Sequence, residues 1–260
     1  MGKRNLDKMT PKKFFKYILP YRLIVHKDKL LNNFFIFAQR KCPICTRKLF
    51  RFKSWRAPMS AIEQKELICP YCGSHPRHRK LWLYLNKKTQ FFKMTEAHFL
   101  HVAPEHCFSY KFQQIFKKYL TADLSGLAMV KMDITNIDYP DNSFDIIFCN
   151  HVLEHIQNDI KAMSELYRVL KEGGMAILLV PMSSNNTTYE DRSIVAPEKR
   201  LEAFGHHDHV RFYGKDYLER LQSVGFAVLA ISEEEYLSQK EIKRYSGIND
   251  HYDIIVQCTK

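Results

Sequence analysis

The sequence has 260 residues, and 45% of them are hydrophobic, which is enough for a packed core and argues against a wholly disordered chain. No apolar run approaches the roughly 20 residues that a membrane-spanning helix requires, and the N-terminus shows no signal-peptide pattern. We therefore exclude an integral membrane protein and expect a cytoplasmic location.

The formal net charge of +12 is distributed unevenly along the chain. Residues 1–93 contain 23 Lys/Arg and 4 Asp/Glu, a net charge of +19, whereas residues 94–260 contain 17 and 24, a net charge of −7. This difference predicts a domain boundary near residue 93. It also favours an anionic partner for the N-terminal part, such as nucleic acid, phospholipid or a phosphorylated substrate. The alternative is a basic surface that is simply solvated.

Residues 1–40 form the first predicted region, a basic amphipathic leader. Residues 14–19 and 30–37 are two short apolar segments with helical spacing among lysines. Each is expected either to lie on an anionic membrane surface or to pack on the following domain. Peripheral attachment at the inner face of the membrane is therefore an open alternative for this region.

Residues 41–93 contain two Cys-x-x-Cys pairs. Cys42 and Cys45 form the first pair, Cys69 and Cys72 form the second, and 23 residues separate them. Two such turns direct four thiolates at one ion, and a closed four-sulfur site is typical of structural zinc. The region is predicted to be a zinc ribbon followed by a basic helix over residues 77–87.

From residue 94 onward, short apolar strands alternate with helices. The predicted strands are residues 98–103, 119–123, 128–132, 145–150, 175–181, 226–231 and 252–258. The predicted helices are residues 107–118, 159–171 and 217–224, and Gly173 and Gly174 are expected to cap the second. This alternation predicts an α/β domain with a mostly parallel sheet covered on both faces, in which the last two strands are antiparallel.

Acidic residues follow two of these strands, at the sheet edge where open α/β sheets bind ligands. Asp123 and Leu124 come after the second strand, and Asp133 and Ile134 come after the third. A carboxylate at the first position can accept hydrogen bonds from both ribose hydroxyls of an adenosine cofactor, and the second pair can hold an adenine. The alternative is that both aspartates only shape turns or cap helices.

Three further segments follow in order. Residues 140–146 read Pro-Asp-Asn-Ser-Phe-Asp-Ile, residues 153–156 read Leu-Glu-His-Ile, and residues 166–174 read Leu-Tyr-Arg-Val-Leu-Lys-Glu-Gly-Gly. Together with Asp123 and Asp133, these segments resemble the class I S-adenosylmethionine-dependent methyltransferases of the type 11-like group, over residues 94–260. The resemblance implies a Rossmann-like, seven-stranded, mostly parallel sheet with S-adenosyl-L-methionine lying across the strand tips. By motif match, it implies that Asp123 and Leu124 bind ribose, Asp133 and Ile134 bind adenine, and Asn150 and His151 line the methionine end.

One loop departs from that family's pattern. Where the family has a glycine-rich loop after its first strand, this chain reads His-Val-Ala-Pro-Glu-His over residues 101–106. Ala103 is small enough to replace a glycine in part, and Glu105 could hold the ammonium group of the cofactor. A domain that no longer binds cofactor is the alternative.

The polar insert between residues 182 and 212 supplies the catalytic candidates. In the family such an insert covers the substrate, and here it contains His206, His209 and Arg211. We expect these residues to act as a base and an anion-binding group, with Glu190 as a further pocket residue. The alternatives are histidines without a catalytic role, or an ion held by His206, Asp208 and His209 or by Glu154 with His155.

Two enzymatic functions and one non-enzymatic function remain. The first is O-methylation of a carbohydrate or small metabolite, for example in surface-glycan synthesis. The second is RNA methylation, in which the basic ribbon binds phosphates. The third is a non-catalytic zinc-ribbon adaptor.

Overall fold

The computed structural model describes residues 40–56, 63–246 and 254–260, so the predicted leader, apart from Arg40, lies outside the described residues. The chain divides into two compact units, Met1–Arg79 with Lys240–Asn249, and Lys80–Gln239 with Asp250–Lys260. The division therefore falls at Arg79 in place of residue 93. The reason is that Phe91 is fully buried and packs against Phe99 and Phe148 of the second unit, so the segment before residue 93 belongs to that core.

The first unit contains two small antiparallel sheets. Strand β1 (Arg40–Lys41) pairs with β2 (Lys48–Leu49), and β3 (Lys53–Arg56) pairs with β4 (Glu63–Ile68). The buried guanidinium of Arg79 donates hydrogen bonds to the backbone oxygens of Leu67, Ser74 and Tyr245. It also lies 3.8 Å from the ring centroid of Phe52. One buried cation thus joins separate segments of this unit.

Seven strands form the central sheet of the second unit. They are β5 (His98–Val102), β6 (Lys118–Asp123), β7 (Val130–Lys131), β8 (Phe144–Cys149), β9 (Leu170–Ile177), β12 (Ala227–Ile231) and β13 (Ile255–Thr259). Two further strands, β10 (Tyr189–Glu190) and β11 (Arg211–Phe212), pair with each other. The spatial order is β12-β13-β9-β8-β5-β6-β7. Strands β5 to β9 are parallel to their neighbours among themselves, whereas β13 is antiparallel to both β9 and β12. The predicted seven-stranded, mostly parallel sheet with an antiparallel last pair is confirmed.

Helices of the described chain run between these strands. They are α1 (Pro76–Lys88), α2 (His106–Ile115), α3 (Asp159–Val169), α4 (Pro197–Phe204), α5 (Tyr217–Ser223) and α6 (Gln239–Glu241). Trp82 of α1 stacks on Phe108 and Phe112 of α2 at centroid distances of 6.2 and 6.0 Å. The rings of Phe112 and Phe99 lie 5.3 Å apart, so this aromatic packing continues from the helices onto β5. Within the described residues, no helix has the length and apolar character needed to cross a membrane.

Two predictions about the second half of the domain were wrong in detail. Helix α3 ends at Val169, and Leu170 already pairs with Phe144 as the first residue of β9. Gly173, at φ +70°, therefore lies inside a strand and does not cap the helix. The polar insert over residues 182–212 contains α4 and the β10–β11 pair.

Candidate active site

A cleft of about 320 Å³ opens where β5, β6, β7 and β8 end. The spatial order of the strands reverses between β5 and β8, and ligands of open α/β sheets bind at such a switch point. The cleft is lined by Val102, Ala103, Asp123, Leu124, Met132, Asp133, Ile134, His151, Val152, His155 and Ile156. Six of the eight residues predicted to bind cofactor are in this set. The other two, Glu105 and Asn150, are not.

The two strand-tip aspartates shape their loops as well as lining the cleft. Oδ1 of Asp123 accepts hydrogen bonds from the backbone N–H groups of Gly126 and Leu127, at 2.6 and 3.1 Å. Oδ1 of Asp133 accepts from the backbone N–H and the hydroxyl of Thr135, at 2.9 and 2.8 Å. Desolvation opposes ionisation of Asp123, but the hydrogen bonds from Gly126 and Leu127 hold the pKa of Asp123 below its ordinary value. The carboxylate is therefore ionised at neutral pH and suited to accept hydrogen bonds from hydroxyl groups.

Ala103 adopts the left-handed backbone conformation that glycine favours. Its φ is +45°, and the φ of His151, across the same cleft, is +55°. A non-glycine residue loses about 1–2 kcal/mol in this conformation. The backbone N–H of Ala103 donates to the oxygen of Ala122, and that of His151 donates to the oxygen of Leu179, both at 2.7 Å. The turn expected from glycines is thus kept by an alanine.

A hydrogen-bonded chain lies behind the cleft. The buried ring of His101 contacts the hydroxyl of Tyr119 through Nδ1, at 2.7 Å, and the carboxylate of Glu105 through Nε2. Oε1 of Glu105 accepts from Nδ2 of Asn150 at 3.1 Å, and Oδ1 of Asn150 accepts from the backbone N–H of Leu179 at 3.3 Å. Glu105 and Asn150 therefore connect the ends of β5 and β8. Sequence reasoning missed His101, although a histidine in an otherwise apolar strand was the available signal.

The loop that follows α4 brings the predicted histidines beside the cleft residue His155. The rings of His155 and His209 lie 4.7 Å apart, and those of His206 and His209 lie 5.0 Å apart. Nδ1 of His209 is 3.1 Å from the carbonyl oxygen of Phe204. A carbonyl can only accept, so Nδ1 carries the proton and Nε2 keeps its lone pair. Desolvation lowers the pKa of His209 and favours this neutral form.

Arg211 has a different position from the one predicted. It is buried, and its guanidinium donates to the backbone oxygens of Leu153, Ile156 and Gln157. Its Nε donates to Oε2 of Glu190 at 3.0 Å. Because protein acceptors engage this guanidinium, it holds the loop after β8 in place and is not arranged to bind an anion from the substrate. Glu190 likewise serves this ion pair, so neither residue fits its predicted pocket role.

The four cysteines of the Cys-x-x-Cys pairs converge in the first unit. All four sulfur atoms lie within 4.8 Å of one another, with Cys42 and Cys72 3.6 Å apart and Cys45 and Cys69 3.7 Å apart. Zinc–sulfur bonds of about 2.3 Å in a tetrahedron place sulfurs about 3.8 Å apart, whereas a disulfide needs about 2.05 Å. The donor set and spacing fit a four-sulfur zinc site.

Comparison with known proteins places the cleft in a recognised domain. Residues 99–178 match the model of the family described as "Methyltransferase domain". A 62-residue segment is 37% identical to demethylmenaquinone methyltransferase of Staphylococcus epidermidis, covering 24% of this chain and 26% of that protein. A 112-residue segment is 29% identical to phosphoethanolamine N-methyltransferase 3 of Arabidopsis thaliana, covering 43% and 21%. The matches thus span about a quarter of the length of these curated relatives.

Solved structures show a similar arrangement at low identity. An S-adenosylmethionine-dependent methyltransferase from Mesorhizobium loti superposes with a TM-score of 0.46 and 14% identity, covering 66% of this chain and 97% of that one. The 1,6-didemethyltoxoflavin-N1-methyltransferase of Burkholderia thailandensis, solved with S-adenosylhomocysteine, gives 0.45 and 14%, covering 71% and 77%. The matched residues 99–178 include every residue that lines the cleft. Over residues 99–178, the chain is therefore similar to the family described as "Methyltransferase domain".

Proposed function

We propose that the chain transfers a methyl group from S-adenosylmethionine to a small-molecule acceptor, and that the acceptor atom is an oxygen of a carbohydrate or metabolite. The observation that carries this proposal is one cleft with two chemically different ends. Asp123 and Asp133 line one end, and His155, which adjoins His209, lines the other. When bound, S-adenosylmethionine supplies an electrophilic methyl group. The acidic end fits its adenosine, and the histidine end fits the acceptor.

The residues of the adenosine end have complementary roles in this proposal. Asp123 accepts hydrogen bonds from the ribose hydroxyls, assisted by the adjacent Leu124, while Asp133 and Ile134 hold the adenine. The cleft volume of about 320 Å³ lies within the range of small-molecule sites. Ala103 and His151, both with a positive φ, line the part of the cleft that this proposal gives to the methionine.

At the acceptor end, the chain must orient a nucleophile and remove its proton. The Nε2 lone pair of His209 can accept a proton, and His206 is the second candidate in the same loop. The named acceptors of the two curated relatives, demethylmenaquinone and phosphoethanolamine, are small molecules. They support a small-molecule acceptor here, without identifying which one.

Transfer of labelled methyl groups into fractionated cell extract tests this proposal. We expect label in the glycan or metabolite pool, and much less label at sub-saturating S-adenosylmethionine when Asp123→Ala replaces the wild type. RNA methylation is the second candidate, supported by the net charge of +19 over residues 1–93. Label recovered in RNA, with RNA affinity falling by roughly 0.7 log units per log unit of salt for each phosphate contacted, would replace the first proposal by the second.

The basic leader gives these two candidates different partners. For the small-molecule enzyme, we propose that residues 1–40 bind anionic lipid at the inner face of the membrane, because each basic residue near such a surface contributes about 1 kcal/mol. Vesicle sedimentation tests this. We expect binding to phosphatidylserine vesicles that is lost when residues 1–38 are deleted, and unchanged sedimentation of the deletion variant would contradict it.

We also propose that Cys42, Cys45, Cys69 and Cys72 bind one structural zinc ion. Four protein ligands leave no open position, and folding of such a unit is coupled to binding of its metal. Metal analysis of the purified chain should find zinc, and Cys69→Ser should release it and expose residues 40–79 to proteolysis. Zinc-free wild-type protein that resists proteolysis in this region would contradict the assignment.

A further inference from the structure

The loop between α4 and β11 gathers histidines around one carboxylate. Nδ1 of His206 and Nδ1 of His155 both contact Oδ1 of Asp208, the latter at 3.2 Å. The ring of His209 stacks edge-on against that of His155 at 4.7 Å and lies 5.0 Å from that of His206. We call these four residues the histidine cluster. It contains more imidazoles than the single base that the proposed reaction needs.

Three members of the cluster have the spacing of metal ligands. One ring nitrogen from each of His206 and His209 and a carboxylate oxygen of Asp208 all lie within 4.8 Å of one another. Ligands held about 2.1 Å from a tetrahedral ion are about 3.4 Å apart, so small side-chain rotations suffice. The turn that brings them together begins at Gly205, whose φ of +79° ends α4.

The orientation of His209 is that of a metal ligand. Its Nδ1–H donates to the carbonyl oxygen of Phe204 at 3.1 Å. Histidines that bind metals usually donate their second ring N–H to a carbonyl or carboxylate, which fixes the ring and directs the other nitrogen at the ion. The free lone pair of His209 is on Nε2.

A buried carboxylate beside the cluster supplies independent support for a cation. The side chain of Glu154 is only 2% exposed, and its Oε2 accepts no hydrogen bond within the described part of the chain. An oxygen of Glu154 lies within 4.8 Å of the ligand nitrogens of His155 and His209. An unpaired buried carboxylate oxygen is costly, and a nearby divalent ion would offset that cost.

We propose that His206, Asp208 and His209 bind one divalent transition-metal ion, and that zinc is the ion best suited to this donor set. His155, which lines the cleft, lies next to the site. Three protein ligands leave a position open, and an acceptor hydroxyl or water bound there would have a lowered pKa. The number of bound ions does not depend on the proposed function. The role of the ion in methyl transfer does rest on it, and in that role His206 and His209 would act as metal ligands in place of free bases.

Zinc content after equilibrium dialysis tests the site directly. We expect the wild-type chain to hold one zinc ion more than the four-cysteine site accounts for. Asp208→Asn and the double variant His206→Ala, His209→Ala should each lose that ion and keep the other. His207→Ala is the matched control, because His207 lies in the same loop outside the three ligands, and it should keep both ions.

Cobalt(II) titration provides a second readout that does not depend on any variant. The extra equivalent should add visible d–d absorption without the thiolate-to-cobalt band, since it has only nitrogen and oxygen ligands. Equal zinc content in the wild type and in both ligand variants would overturn the proposal. Loss of the ion in Glu154→Gln with retention in Asp208→Asn would also overturn it, because the ligands would then be Glu154, His155 and His209. Circular dichroism of each variant confirms folding, and failure of methyl transfer alone would leave the ion count unaffected.

Discussion

Two loops of the second unit are each held by an arginine, in contrasting ways. Arg168 of α3 donates to the backbone oxygens of Ile137 and Tyr139, in the segment that leads into the start of β8, pairs with Glu165 and Asp141, and is 30% exposed. Arg211 of β11 donates to backbone oxygens of the loop after β8 at the acceptor end, and is only 3% exposed. Both guanidiniums hold a loop by its carbonyl groups, but only the second does so away from solvent.

The contrast shows that hydrogen bonds from an arginine to backbone oxygens contribute differently to stability in buried and exposed surroundings. Water can replace Arg168 at its exposed partners, so its removal leaves few buried groups unpaired. Removal of Arg211 leaves three backbone oxygens with a lost donor and the nearly buried Asp159 with one cation fewer. The loop after β8 should therefore be the more fragile of the two.

Arg211→Met should have the largest effect on stability. We expect a loss of about 3–5 kcal/mol in the free energy of unfolding, the scale of an uncompensated buried ion pair, against about 1–2 kcal/mol for Arg168→Met. Urea denaturation measures both. Arg192→Ala, an exposed arginine in the same insert, should stay within about 0.5 kcal/mol of wild type. Equal losses in the free energy of unfolding for Arg211→Met and Arg168→Met would remove the distinction between the two arginines.

His209→Ala should separate the two ends by chemistry. Turnover should fall by about 100-fold or more, whether His209 acts as a base or as a ligand, because either role activates the acceptor. Affinity for S-adenosylmethionine should be almost unchanged, since the adenosine end is untouched. His206→Ala should resemble it, and His207→Ala should not. Wild-type turnover in both His209→Ala and His206→Ala would place proton removal elsewhere.

Glu165→Gln tests the exposed ion pair between Glu165 and Arg168 through its pH dependence. Hydrogen bonds from the Arg168 side chain, and also from the backbone N–H of Ile137, hold the pKa of Glu165 below its ordinary value of 4.5. A lowered pKa in the folded state stabilises above pH 4.5, and this stabilisation is lost as the pH falls through the folded value. We expect Glu165→Gln to lose about 1 kcal/mol at neutral pH and progressively less below pH 4.5. A constant difference in urea midpoints across this range would contradict the assignment.

Ala103→Gly should have the smallest effect, and in the opposite direction. Glycine removes a left-handed cost of about 1–2 kcal/mol but adds about 0.5–1 kcal/mol of chain entropy. We expect a stability equal to or slightly above that of the wild type by thermal denaturation. Ala162→Gly, within α3, is the matched control and should destabilise by about 1 kcal/mol. Destabilisation of similar size at both positions would mean that Ala103 carries no strain.

The cofactor end could be predicted from the sequence because its signals are local. Asp123 and Asp133 each follow an apolar strand directly, and parallel strands bring their tips to one edge. The four lining residues predicted from these two segments therefore lie together. Glu105 was placed in the cleft because its loop was recognised, but its partner Asn150 is 45 residues away and directs it behind the cleft.

The acceptor end was less predictable because its contacts are distant in sequence. Arg211 binds carbonyl oxygens 54 to 58 residues earlier, and backbone acceptors leave no mark in the amino-acid pattern. An exposed-looking arginine among histidines suggested anion binding, whereas folding buries it. The histidines themselves were identified, but their convergence on His155 depended on the path of the insert through α4. Likewise, the sequence around Gly173 predicted a helix cap. The cap is not formed because Leu170 pairs with Phe144, so that β9 begins before Gly173.

Calorimetric titration with S-adenosylmethionine tests most directly the claim that this cleft is a cofactor site. We predict that the wild-type chain binds the cofactor, and that Asp123→Ala weakens binding by about 1.5–3 kcal/mol, the scale of lost charge-assisted hydrogen bonds. Asp138→Ala, an exposed aspartate outside the cleft, should bind as the wild type does. No heat of binding from folded wild-type protein, or equal affinity in Asp123→Ala and the wild type, would contradict the account.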